Sequence, residues 1–162
     1  MGLKKLNKEV VVTWLQERGV TVNDIAELVY FLQSNYHPEL KMDTCVENVE
    51  RVLSKREVQN AIITGIQLDI LAEEKQLRAP LQEILEVDEG LYGIDEVLAL
   101  AIVNVYGSIG FTNYGYVDKL KPGILKRLND KTTGECHTFL DDIVGAIAAA
   151  ASSRLAHGAF EE

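Results

Sequence analysis

Thr138-Phe139-Leu140-Asp141-Asp142-Ile143-Val144-Gly145-Ala146-Ile147-Ala148-Ala149-Ala150-Ala151 is the stretch that decides the fold. The alanine run favours helix and is slim, so neighbouring helices can approach it closely. Thr138 is the expected N-cap and Gly158 the expected stop. No charged side chain follows Asp142 until Arg154. The start of this helix, acids included, is therefore expected to be drawn into a core.

Working outward, the pattern stays helical. Asn7 to Arg18 reads as a helix closed by Gly19, with Val11, Trp14 and Leu15 on one stripe. Asp24 to Ser34 carries Ile25, Leu28, Val29 and Leu32 at helical spacing, and a third helix begins after Asp43 with Val46, Val49 and Leu53 inward. Ser54-Lys55-Arg56-Glu57 has the form of a capping box before Val58, Ile62, Ile66 and Ile70. Pro80 opens a short helix through Glu86, and a longer one is expected from about Asp88 to Tyr106, ending at Gly107. Ser108 to Gly115 reads as turn-rich, Pro122 as the first turn of a further helix, and Asp130 to His137 as a polar loop. With three prolines and no alternating strand pattern, the expected fold is all-α, a single compact multi-helix domain over 1–162. Residues 1–53 are expected to form an N-terminal helical layer and 54–158 the functional core.

Net charge sets limits on function. At −9 the chain lacks the basic face that nucleic-acid binding needs. The same charge opposes a phosphorylated substrate, unless a divalent cation reverses the local field. The apolar runs near 97–106 and 143–151 fall short of the roughly 20 residues of a membrane span. Met1-Gly2-Leu3-Lys4-Lys5 leads into polar residues, so no signal peptide is expected. Cys45 and Cys136 suggest no disulfide framework. The expected place is the cytoplasm, with at most peripheral contact at the inner face of the membrane. Homo-oligomerisation is left open.

Acidic side chains are rarely buried unless they are paired or bind metal. Asp95-Glu96 opens into Val97-Leu98-Ala99-Leu100-Ala101-Ile102-Val103, and Asp141-Asp142 into the stretch quoted first. Each pair also lies where a helix start favours anions, which is a sufficient ordinary reason for either one alone. Asp118 and Lys121, three apart, share a helical face and could be a plain surface ion pair. Together the two pairs, Asp118 and Lys121 read as parts of one metal-dependent site. His137 is the one histidine near these acids in sequence, and Ser152-Ser153 reads as a packing detail.

Taken in order, Ile94-Asp95-Glu96, Asp118-Lys119-Leu120-Lys121-Pro122 and Leu140-Asp141-Asp142-Ile143-Val144-Gly145-Ala146 resemble the motifs of the bacterial phosphatidylglycerophosphatase A family. The resemblance covers about residues 90–157. It implies a Mg²⁺-dependent phosphomonoesterase of phospholipid metabolism, a hydrolase that releases inorganic phosphate from phosphatidylglycerophosphate or a related phosphate ester. Carried onto this chain, the catalytic and metal-binding acids would be Asp95, Glu96, Asp118, Asp141 and Asp142, with Lys121 as the catalytic cation. There are departures. The chain has no spanning helix and no Pro-Gly-Thr motif near its start. It has Gly115 where members often carry arginine, and Gly134-Glu135-Cys136-His137 in place of a glycine-rich loop. It is thus similar to a soluble branch, the low-temperature-requirement C proteins. Two other readings stand beside this one. One is a non-catalytic helical interaction module with a relic metal site. The other is an all-α nucleotide pyrophosphatase using Glu47-Asn48-Val49-Glu50 and Glu83-Ile84-Leu85-Glu86.

Overall fold

A computed structural model describes residues 5–158, apart from the side chain of Ile109. Residues 1–4 and 159–162 of the expected domain, and most of the stretch read for a signal peptide, lie outside the described residues. Within them the protein is all-α. The helices are α1 (Lys8–Glu17), α2 (Val22–Gln33), α3 (Met42–Leu53), α4 (Arg56–Glu73), α5 (Leu81–Glu86), α6 (Ile94–Val103), α7 (Ile109–Leu120), α8 (Ile124–Leu128) and α9 (Leu140–Gly158), with a 3-10 turn at Asn104–Tyr106.

Helix α9 is the axis of the fold. Every residue from Leu140 to Ser153 is buried. Helices α2, α3, α4, α6, α7 and α8 all pack on it, as its alanine-rich surface allows. Helices α2 and α3 therefore share the α9 core, and α1 covers α4 and α3. Helix α4 comes close to α9 at Gly65. A Cβ at Gly65 would run into the Ile143 side chain and stand 3.1 Å from Phe139 Cβ, so any larger residue there must displace its neighbours on α9.

Several boundaries differ from the sequence expectation. The helix expected from Asp88 begins only at Ile94, because Asp88 (φ 49) and Gly93 (φ 76) are left-handed and break the chain there. The expected turn at 108–115 is helix α7. Its Gly110 serves close packing rather than a turn, since a Cβ there would come within 2.9 Å of Val103 Cγ1 and 3.0 Å of Ser153 Oγ. Ser54 does not build a capping box. Its hydroxyl donates back to Glu50 O (2.8 Å), and the N-cap of α4 is Lys55. Pro122 lies outside α8 and its carbonyl accepts from Leu125 N. Helix α6, apolar all round in sequence, is buried on one side only, with Ile94 52% and Val97 61% exposed.

Candidate functional site

The first turns of α6 and α9 and the last turn of α7 surround one hollow of about 190 Å³. Asp95 and Glu96 reach it from α6, Asp118 and Lys121 from the end of α7, and Asp141 and Asp142 from α9. The structure thus brings all six sequence-predicted residues to one place. They are not equally placed. Asp95, Asp141 and Asp142 are buried, Asp118 and Lys121 half-buried, and Glu96 exposed. Glu96, read from its apolar run as a burial-prone acid, is instead exposed, as are its neighbours Ile94 and Val97.

Local geometry aims these groups. Lys121 follows α7 as a left-handed cap (φ 49, ψ 50), a conformation that costs a non-glycine residue about 1 kcal/mol or more. From there its ammonium donates to Asp118 Oδ1 at 2.6 Å and Asp141 Oδ2 at 3.1 Å. Asp95 Oδ1 accepts the Glu96 amide (3.0 Å), and Asp141 Oδ1 the Asp142 amide (2.8 Å). Tyr114, on α7, donates its hydroxyl to Asp142 Oδ1 at 3.2 Å.

Electrostatics divide the acids. Burial, then the charge of Asp141 and the nearby Asp95 carboxyl, push Asp142 up to about 9. Burial also raises Asp141, but Lys121 restrains it to about 6. Burial pulls Lys121 down, yet Asp141 and Asp118 outweigh that and keep it firmly protonated. Burial and Asp142 raise the Tyr114 phenol, so it stays a donor. The hollow is therefore crowded with more negative charge than its one lysine offsets.

This crowding has a pH consequence. A carboxyl whose folded pKa exceeds its unfolded value binds a proton in the native state that the unfolded chain has released. Stability then falls as pH rises toward the folded value. Asp142 (about 9) has this sign. His137, lowered by burial, has the opposite effect only below its ordinary value of 6.5. Metal-free protein should therefore lose at least about 1.4 kcal/mol, the worth of one pKa unit, between pH 6.5 and pH 9. Mg²⁺ should flatten the slope by replacing the proton. Thermal melts in EDTA and in Mg²⁺ check this. A flat or rising EDTA series would contradict the charge arrangement.

Whether the residues fit a metal turns on the donor chemistry. The acids offer only carboxylate oxygens, which suit a hard cation such as Mg²⁺. Among the described residues no group of three or more His, Cys, Asp or Glu side chains stands in ion-chelating geometry, and Lys121 holds Asp118 and Asp141 to itself. The set fits an ion that takes few protein ligands and keeps waters or phosphate oxygens, as Mg²⁺ does.

The other candidates lie elsewhere. Buried His137 pairs with Glu135 (2.6 Å) and does not line the hollow. Ser152 and Ser153 are buried in α9, with Ser153 donating to Ala149 O. Glu47 lines a groove beside Arg154, while Glu86 pairs with Lys75; neither they nor Glu50 and Glu83 reach the hollow. Sequence reasoning missed Asp88, Glu89 and Asn129 on the hollow's wall, and Tyr114. Asp88-Glu89-Gly90 was hidden because the segment read as helix. Tyr114 carries no local signal at all.

The phosphatidylglycerophosphatase A family model matches residues 11–157. The match takes in the N-terminal helices that the motifs alone do not reach. The chain is 76% identical over 145 residues to the uncharacterized protein YutG of Bacillus subtilis, covering 90% of this chain and 87% of the relative. Among solved structures it is similar to a protein of unknown function from Bacillus stearothermophilus (TM-score 0.95, 71% identity, 97% of this chain and 98% of that one). It is also similar to the low temperature requirement C protein from Listeria monocytogenes (TM-score 0.93, 66% identity, 94% of this chain and 96% of that one). A match of this length, carried by relatives of this identity, makes the chain a member of the phosphatidylglycerophosphatase A family.

Proposed function

We propose that the protein is a Mg²⁺-dependent phosphomonoesterase acting on phosphatidylglycerophosphate or a related phosphate ester. The observation that carries this is the gathering of five acids and one lysine, from three helix ends, around one small hollow. Bound Mg²⁺ would supply charge neutralisation at the phosphate and polarise a water. A few of Asp95, Glu96, Asp118, Asp141 and Asp142 would hold it, with waters or phosphate oxygens completing its shell. Lys121 steadies the phosphoryl oxygens with its fixed positive charge. The first turns of α6 and α9 both border the hollow. With the cation bound, Asp141 or Asp142 would take a proton from the attacking water.

No described helix is long and apolar enough to cross a membrane. A lipid ester would then be met at the bilayer surface, and the net charge of −9 works against anionic headgroups. Exposed Ile94 and Val97 flank the acids of α6 and give an acyl chain an apolar rim to lie on. The test compares phosphatidylglycerophosphate in mixed micelles with glycerol phosphates in solution, both with Mg²⁺. Faster release from the lipid is expected. Faster turnover of the soluble esters keeps the phosphatase and removes the lipid. No release from either, with Mg²⁺ bound, leaves the helical interaction module as the better reading.

A further inference from the structure

We infer that Asp69 is a positioning residue for the acidic site: reaching across from α4, its carboxylate caps α9 and fixes where Asp141 and Asp142 stand. The inference rests on the reading above, that those acids hold the ion. It begins with the orphan amides at the start of α9. The first amides of a helix have no partner within it, and buried ones must find another. Thr138, the expected cap, is turned away and donates its hydroxyl to Leu85 O at 2.6 Å. The amides of Phe139 and Leu140, both fully buried, donate instead to the two oxygens of Asp69, each at 2.9 Å. Asp141 N then donates to His137 O, Asp142 N to Asp141 Oδ1, and Ile143 N to Phe139 O. The amides from 139 to 143 are thereby all satisfied.

Asp69 belongs to a set of three residues at i, i+4 and i+8 on one face of α4. Gly65 lets α4 approach Phe139 and Ile143, Asp69 takes the two amides, and Glu73 accepts Cys136 N at 3.0 Å and Arg18 Nη2 at 2.7 Å. This face grips the chain from 136 to 143. Since Asp141 and Asp142 are the next residues after the clamped amides, a shift at Asp69 passes directly into the hollow. Asp69 does not line the hollow, so it touches the site through the backbone, beside a smaller charge repulsion with Asp141.

The test measures Mg²⁺ binding by calorimetry in the wild type, Asp69→Asn and Glu73→Gln. An asparagine keeps the shape and one acceptor, but sets its NH₂ against a backbone N–H. Asp69→Asn should weaken Mg²⁺ affinity about 10-fold or more, the usual loss for an outer partner of a metal site. Glu73→Gln, which also breaks a cross-chain ion pair, should lower the melting temperature while leaving affinity within about 2-fold, since its clamp lies further from the acids. Loss of melting temperature in Asp69→Asn with unchanged affinity would overturn the inference. A wild type that binds no Mg²⁺ would instead sink the metal-site reading and the inference with it. Should Asp69→Asn fail to fold, hydrogen exchange on the wild type decides. By reciprocity, Mg²⁺ must slow exchange of the Phe139 and Leu140 amides if Asp69 and the site are coupled. Unchanged exchange at those two amides on Mg²⁺ saturation would refute the coupling.

Discussion

Replacing Asp142 with asparagine is expected to cut Mg²⁺-dependent phosphate release at least about 100-fold, the upper loss seen when even an outer partner of a metal ligand is removed. The metal-free protein should melt at the same temperature or higher. The two effects come from one cause. Burial, and then the Asp141 and Asp95 carboxyls that face it, hold the Asp142 proton up to about 9, so the metal-free side chain is neutral at pH 7. Asparagine is a neutral stand-in for that protonated side chain and still accepts from Tyr114, whose hydroxyl stands 3.2 Å from Asp142 Oδ1; toward pH 9 it also spares the site the charge that Asp142 would acquire. It offers its own NH₂ to the neighbouring carboxylates, so no buried group is left unpaired. A residue kept only to pair with the α9 dipole would behave in the opposite way. Asp142→Asn would then lose stability and keep activity. Thermal melts in EDTA, with phosphate release assayed on the same preparations, separate the two.

The acids were legible because physical chemistry makes a carboxylate inside an apolar run expensive. That cost points to Asp95, Asp141 and Asp142 from the sequence, and all three are buried. The same cost applies to Asp69, a lone charge among Ile66, Leu68, Ile70 and Leu71, which is fully buried. Glu96 shows its limit. A run of apolar neighbours does not prove burial when a helix leaves one apolar side open, as α6 does at Ile94 and Val97. The helices themselves followed from periodicity, and the misplaced boundaries share a cause. Gly110 signals a turn locally, but the structure uses it for contact with Val103 and Ser153, which are distant or unpredictable partners. Capping failed in the same way. Thr138 is a good local cap, yet Asp69 takes its place from 70 residues away, and no local rule can see that exchange.

Lys121→Met should move metal-free stability in the opposite direction from Asp142→Asn. Lysine is the cation that the acids of the hollow share, bonded to Asp118 at 2.6 Å and Asp141 at 3.1 Å. Methionine keeps the length and much of the packing but leaves both carboxylates without their partner. Breaking a fully buried pair costs about 3–5 kcal/mol. Here Asp118 still meets water, with its side chain 35% exposed, so a loss nearer about 1–3 kcal/mol is expected from the solvent screening. Mg²⁺ should recover part of it, because a cation can neutralise the same two acids. Phosphate release should fall by about 100-fold or more even at saturating Mg²⁺, as when one fixed donor to a developing anion is deleted. Lys121→Arg should rescue stability better than activity. A guanidinium can still bridge two carboxylates, but its planar fork puts charge in a different place from a compact ammonium. Full activity in Lys121→Met would remove the lysine from the chemistry and leave it an ordinary counter-ion. A more stable metal-free Lys121→Met would contradict the charge balance itself, since the hollow would then have gained stability by losing its cation.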